Sequence, residues 1–307
     1  RPRPSWAPSR TGPLDVSLDE AASLVREQFL TNVDRHLRSD VPVGAALSGG
    51  IDSSGIVGAI RSIGGPAVDL HVFSFVTRDP GLDEERWIEL AAADAGATLH
   101  KIELDATDLV DGLDDVLRSQ GEPVVGSTVY AQSQVFASAR AAGITVMLDG
   151  QGADELFGGY RAHLTMRCES LLRRGDLGAA WNLLRNASRL PGGDGPARAL
   201  ARLLWWSLPE RLAMAARRQV GARGSLGAVH HRWFGERGIT GAPHRPPAAS
   251  DRLVSMLMGS LTDSSLPGLL RYEDRNSMRS SIESRVPFLT TAMADLVYSL
   301  PEEHLVA

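Results

Sequence analysis

Twice in this chain an apolar run ends at closely spaced glycines and passes directly into a helix, and few folds can accommodate that arrangement twice. In "VPVGAALSGGIDSSGIVGAI" (residues 41–60), Val41, Val43, Ala45 and Leu47 lead in, and Ile51, Ile56, Val57 and Ile60 follow at helical spacing. In "ITVMLDGQGADELFGGY" (residues 144–160), the run Ile144 to Leu148 ends at Gly150 and Gly152, and a short helix carrying Asp154 and Glu155 follows. The same alternation fills the interval. "DLHVFSFV" (69–76) and "TLHKIELD" (98–105) predict strands, and "DEERWIELAAADAG" (83–96) and "TVYAQSQVFASARAAG" (128–143) predict helices. An earlier helix is expected over Leu14 to Leu37, with Ser17 as N-cap and Glu20 completing a capping box. Strands alternating with helices imply an α/β fold with a doubly wound parallel sheet. In such sheets ligands bind beyond the carboxyl ends of the strands, where "LSGG", "FSFV" and "LDGQG" would converge.

The first junction suits anion chemistry. The first backbone N–H groups of a helix lack intrahelical partners and the helix dipole is positive there, so a phosphate group can sit without a dedicated lysine. Gly49 and Gly50 admit close backbone approach, and Ser48, Ser53 and Ser54 can add hydroxyl donors. Asp52 would repel a phosphate unless a Mg²⁺ ion took carboxylate and phosphate oxygens together. The competing reading is a serine-capped helix with Asp52 as a first-turn acid. At the second junction, Asp154 could share the same ion, or it could cap a helix that Gly158 and Gly159 merely stop.

With 307 residues, 43% of them hydrophobic, the chain can bury a substantial core in one large domain or two. A net charge of −5 gives no global basic field for nucleic acid or an anionic membrane, and no apolar run reaches the length of a membrane helix. The single cysteine, Cys168, excludes an internal disulfide and reads as a small buried hydrophobe, which points to a reducing cytoplasm. The sole lysine is Lys101. The acids Asp105, Asp108, Asp111, Asp114 and Asp115 fit a solvated helix face better than a metal site.

Four segments are expected: a linker over 1–13 from a preceding domain, an α/β core over 14–165 that carries both glycine junctions, a helical arginine-rich insert over 166–268, and a C-terminal helical part over 269–307 that returns to the site. The insert is read as helices with solvated arginines (Arg217, Arg218, Arg223, Arg232 and Arg237), near His230, His231, Trp233 and Phe234, and "GITGAPHRPPAAS" (238–250) as a mobile loop. In "LLRYEDRNSMRSSIESRVPFL" (269–289), Arg271, Glu273, Asp274, Arg275, Arg279, Glu283 and Arg285 crowd an apolar helical stretch, suggesting internal ion pairs or a polar site lining.

Taken in order, "SGGIDSS", "LDGQGADELFGGY" and "RYEDRNSMRSSIESRVPFL" resemble the synthetase domain of glutamine-dependent asparagine synthetases. That resemblance implies an adenine-nucleotide α-hydrolase fold with a pyrophosphate loop, and a reaction in which a carboxylate attacks the α-phosphate of MgATP before ammonia displaces AMP. Carried over by position, Ser48, Gly49, Gly50, Asp52, Ser53 and Ser54 match the pyrophosphate loop. Asp52 and Asp154 match the magnesium-binding aspartates, and Leu47, Phe75, Asp149 and Gly150 fall at nucleotide-contacting positions. Gln151 stands where many asparagine synthetases have a glutamate tied to adenylate formation. Related β-lactam synthetases and lasso-peptide cyclases use an internal amine, and there Glu283 would match a glutamate that assists deprotonation. A non-catalytic nucleotide-binding module is the reading from a different class.

The resemblance also implies aspartate and ammonia as substrates, ATP and Mg²⁺ as cofactors, and a glutaminase domain or partner subunit that begins with a cysteine, whereas this chain begins with Arg1. A homodimer is compatible with it. The family's charge-stabilising lysine lies downstream of "PFL", but no lysine follows Lys101, and the expectation is therefore a partial chain or an impaired enzyme.

Overall fold

The computed structural model describes residues 6–8, 12–77, 84–124, 126–189, 236–237 and 251–306. The expectations for Arg217, Arg218, Arg223, His230, His231, Arg232, Trp233, Phe234 and the 238–250 loop lie outside the described residues, as does much of the 1–13 linker.

The chain divides into two compact units, Arg1–Phe157 with Ser260–His304, and Gly158–Gly259 with Leu305–Ala307. The first unit opens with α1 (Leu18–His36), whose Ser17 cap and Glu20 side chain form the expected capping box. There follow β1 (Val43–Ala46), α2 (Ile51–Gly64), β2 (His71–Val76), α3 (Glu85–Asp94), β3 (Thr98–Glu103), α4 (Ala106–Gln120), α5 (Thr128–Ala141), β4 (Val146–Leu148) and α6 (Ala153–Phe157). Described helices of the second unit are α7 (Arg161–Arg173), α8 (Leu177–Ala187) and most of α9 (Arg252–Thr262). Chain order then returns to the first unit with α10 (Leu266–Arg279), β5 (Glu283–Arg285) and α11 (Thr291–Ser299), and α12 (Glu302–Leu305) ends the described chain.

All five strands run parallel in the order β3-β2-β1-β4-β5. The strand order reverses direction between β1 and β4, and this is the crevice where open α/β sheets bind ligands. Both glycine junctions follow the carboxyl ends of these two neighbours. The centre of the sheet is buried on both faces, with Ala45, Val72, Met147 and Leu148 fully enclosed, as parallel strands require. On one face Phe73 and Met147 pack with Phe136 and Ala139 of α5 and with Ile282. Burying each of the larger side chains contributes about 1.5–3 kcal/mol.

One element departs from expectation. The C-terminal part is not helical throughout, since Glu283–Arg285 adds the fifth strand, pairing with Val146–Leu148. Arg285 fastens it: Nη1 donates to the carbonyls of His36 (2.6 Å) and Arg38 (2.9 Å) at the end of α1. Asn32 of α1, fully buried, donates to the Pro287 carbonyl and Thr290 Oγ1, both at 3.0 Å, and Phe29 stacks on Phe288 with ring centroids 4.7 Å apart.

The charged C-terminal stretch forms ion pairs that hold α10 and β5. Arg271 meets Glu122 at 2.5 Å, Arg279 meets Asp115, and Arg285 meets Glu283 at 2.7 Å. The aspartates of α4 sit as expected on an exposed face, with Asp105 as its N-cap. In the second unit Cys168 is fully buried, and burial raises its thiol pKa, so it behaves as a small hydrophobe. Glu169 there pairs with Arg173 (2.9 Å) and Arg252 (3.2 Å).

Candidate functional site

The turn after β1 is built for a backbone-lined cradle. Gly49 has φ +82°, a conformation open to glycine, and a Cβ there would meet the Glu84 carbonyl, Ile88 and the Trp87 Cβ, each at 3.2 Å. Gly50 caps α2 and supplies no side-chain hydrogen bond, so the serine-capped alternative does not occur. Ser53 instead folds its hydroxyl back onto the strand end, accepting from the Ser48 N–H at 3.0 Å and lying 3.0 Å from the Ser48 hydroxyl. Apart from the Gly50 N–H, which reaches the Ser48 hydroxyl at 3.4 Å, no side chain among the described residues accepts from the first N–H groups of α2, as an anion site requires.

The turn after β4 meets it directly. A Cβ on Gly150 would lie 3.3 Å from the Ser53 amide nitrogen and 3.4 Å from the Asp52 Cβ, so a side chain here would press the two turns apart by a few tenths of an ångström. The Asp149 carboxyl accepts the backbone N–H groups of Gln151 and Gly150, which shapes the turn from within. Gly152, at φ +90°, then starts α6, which places Asp154 at the cavity and turns Glu155 into the core, where Ser265 Oγ donates to it at 2.9 Å.

A cavity of about 680 Å³ opens between these turns. Leu47, Ser48, Asp52, Ser53, Phe75, Asp149, Gly150, Gln151 and Asp154 all line it. Its opposite wall is apolar and comes from β2, α4 and α5, including Phe73, Leu109, Tyr130 and Phe136. Gly49, Gly50 and Ser54 lie in the adjoining turn and first helical turn without lining it. Among the described residues no helix is long and apolar enough to cross a membrane.

Electrostatics at the turns are set by carboxylates. Burial raises the Asp52 pKa, and the nearby Asp154 and Glu155 charges raise it further. Such a pair facing one cavity fits a divalent cation. Among the described residues no cluster of three or more histidine, cysteine or acidic side chains is placed to hold a metal, so an ion here would draw its remaining oxygens from phosphate and water, as Mg²⁺ does.

One residue sits differently from its sequence-based assignment. Glu283 opens β5 in register with Val146 at the start of β4, whereas the cavity follows the carboxyl ends of the strands. It is exposed, paired with Arg285, and absent from the cavity lining. Lys101 is held by Glu85 (2.6 Å) and Glu89 (2.5 Å) on α3, which keep it charged, and it too is absent from the lining.

The glutamate that the structure singles out is Glu273. It is 2% exposed on α10, accepts from Ser284 Oγ, and has its second oxygen, Oε2, buried without a hydrogen bond. Burial, and then the neighbouring Asp149 charge, push its pKa up to about 8. Sequence pattern offered one signal, a glutamate inside an apolar helix, but not which of the segment's charges faces inward.

A stability test follows from linkage. The unfolded chain ionises Glu273 near its ordinary value, while the folded protein holds the proton until about pH 8. Its contribution is therefore fully present below about pH 4.5 and lost as pH rises towards 8. Glu273→Gln should flatten the decline in unfolding free energy over that window, as measured by denaturant titration at a series of pH values, and an unaltered slope would contradict the assignment.

Residues 24–307 match the family described as asparagine synthase. Over 95% of its length the chain is 26% identical to asparagine synthetase [glutamine-hydrolyzing] 1 of Bacillus subtilis, and over 94% it is 26% identical to asparagine synthetase [glutamine-hydrolyzing] 3 of the same organism. It covers 45% and 44% of those proteins, and thus spans less than half the length of these curated relatives. A shorter likeness, 30% identity over 50% of this chain and 24% of the other, is to the amidase chry2 of Gibberella zeae. The five-stranded parallel sheet, the paired turns at its point of reversal and a match spanning residues 24–307 together make this chain a member of the asparagine synthase family.

Proposed function

We propose that the chain is an ATP-dependent, AMP-forming amide synthetase, with aspartate as the acid and ammonia as the amine. The observation that carries this reading is the approach of Gly150 to the first turn of α2, 3.3 Å from the Ser53 nitrogen to a Cβ placed there, because it joins two phosphate-suited turns into one cradle.

In this reading the α2 N-terminus, with Ser48 and Ser53, grips the β- and γ-phosphates of ATP, and Leu47 and Phe75 flank its nucleoside. Asp52 and Asp154 would hold Mg²⁺, which when bound offsets charge on the departing pyrophosphate. Asp149 keeps the second turn in shape through its two backbone acceptor bonds, and Gln151 presents a neutral amide where a charged group would alter proton handling. We also infer that the ATP-binding part covers 14–165, with 269–307 returning to it, and that 166–268 is an insert.

One observation favours a second reading, in which the amine belongs to the same molecule as the acid. Gln151 lines the cavity as a neutral amide where many asparagine synthetases have a glutamate tied to adenylate formation, a departure that suits an acid other than aspartate.

The test is incubation with MgATP, aspartate and ammonium, with AMP, pyrophosphate and asparagine assayed together. All three products are expected. Product formation from an amino acid substrate without ammonium would favour the second reading, and ATP binding with no pyrophosphate release from any carboxylic acid would overturn both.

A further inference from the structure

Behind the cavity the side-chain amides form a chain whose polarity can be followed atom by atom. Gln120 of α4 and Asn276 of α10 are both fully buried. Gln120 Nε2 donates to the Tyr272 carbonyl at 3.1 Å and to Asn276 Oδ1 at 2.8 Å. Asn276 Nδ2 donates to the Val129 carbonyl and to Gln132 Oε1, each at 2.9 Å. A main-chain carbonyl only accepts, so the two carbonyls decide which end of each buried amide is nitrogen. With both Asn276 protons engaged, Gln132 must meet that residue through its oxygen. Its Nε2 group, with two N–H donors, is then left to the cavity that Gln132 lines, and it makes no hydrogen bond among the described residues.

The surroundings say what such a donor is for. Asp52, Glu84, Asp105, Asp149 and Asp154 line the same cavity, and no lysine, arginine or histidine is among the described residues of its wall. A substrate carboxylate entering there is opposed by like charges, and Gln132 offers it two fixed, neutral donors. A neutral donor also leaves the bound oxygen nucleophilic, as attack on phosphorus requires, whereas a guanidinium would neutralise it.

We propose that Gln132 binds the carboxylate of the acyl substrate through Nε2, and that Gln120 and Asn276 act as positioning residues that set its orientation. This assignment rests on the amide synthetase reading given above, and it makes the acid's recognition depend on an amide whose direction is dictated from the core.

The experiment measures initial rates of pyrophosphate release against acid and against ATP, separately, for the parent and three variants: Gln132→Glu, Gln132→Met and Asn276→Asp. The acid is aspartate or, should aspartate be silent, the first member of a panel of mono- and dicarboxylic acids that releases pyrophosphate. Losing one hydrogen bond to a charged group should raise KM for the acid about 10–100-fold in both Gln132 variants, with KM for ATP within about twofold. Asn276→Asp should give the same split although Gln132 is intact, because an acceptor-only partner draws the Gln132 nitrogen inward. A residue with a merely structural role would lower thermal stability and leave the ratio of the two KM values alone. An unchanged KM for the acid in Gln132→Glu and Gln132→Met, or a KM for ATP that rises in step, overturns the proposal. Should Asn276→Asp not fold, the Gln132 variants decide the matter. Absence of pyrophosphate release by the parent with every acid would mark the failure of the amide synthetase reading itself, and this assignment would fall with it.

Discussion

Asp52→Ala is expected to abolish pyrophosphate release, by about 10³-fold or more, in a protein that remains folded. Asp52 sits in the first turn of α2, half-buried at the cavity, and no group among the described residues donates to its carboxyl, so its removal empties no hydrogen-bond network there. What the substitution removes is one of the two carboxylates that would share the cation, and with it the means of offsetting charge as pyrophosphate leaves. The same change should modestly raise the melting temperature of the ligand-free protein, because burial and the Asp154 and Glu155 charges already disfavour an ionised Asp52. Loss of turnover with unchanged or increased thermal stability is the expected pair of results. A variant that still turns over at the parent rate would remove Asp52 from the mechanism.

Gly152→Ala should be among the most damaging single-methyl additions in the chain. The residue has φ +90°, which L side chains rarely adopt, and a Cβ there would stand 2.3 Å from Leu289 Cδ2 and 2.5 Å from its Cγ. Backbone strain and overpacking together cost about 2–5 kcal/mol, a large share of the 5–15 kcal/mol that holds a typical domain. Leu289→Ala in the same chain should recover the overpacking part and leave the backbone part, so the double variant is expected to lie between Gly152→Ala and the parent in a denaturant melt. If Gly152→Ala unfolds at the parent's midpoint, the turn is less tightly packed against "PFL" than described.

The elements that sequence made legible are those whose pattern is local. Val43 to Ile60 declares a strand, a turn and a helix through spacing alone, and Ser17 with Glu20 declares a helix start, because each signal lies within a few residues. Element β5 was not legible, since "ESR" is too short and too polar to show alternation and becomes a strand only by pairing with β4, some 137 positions earlier in the chain. Glu273 and Glu283 illustrate the same limit within the candidate site. Both are glutamates in one charged segment, and only the packing of α10 determines that Glu273 is enclosed beside Asp149 while Glu283 faces Arg285 and solvent. The Gln120, Asn276 and Gln132 chain is equally non-local, joining three helices that no spacing rule connects.

The late arrival of β5 sets a timetable for biosynthesis. At the usual pace of about 5–20 residues per second, the ribosome takes on the order of ten seconds to move from the Val146 codon to the Glu283 codon. Through that interval a nascent chain that has already assembled β1 to β4 presents the β4 edge, apolar "VML", to whatever strand is at hand. Cellular yield should accordingly depend on how fast that stretch is translated and on holding chaperones present meanwhile.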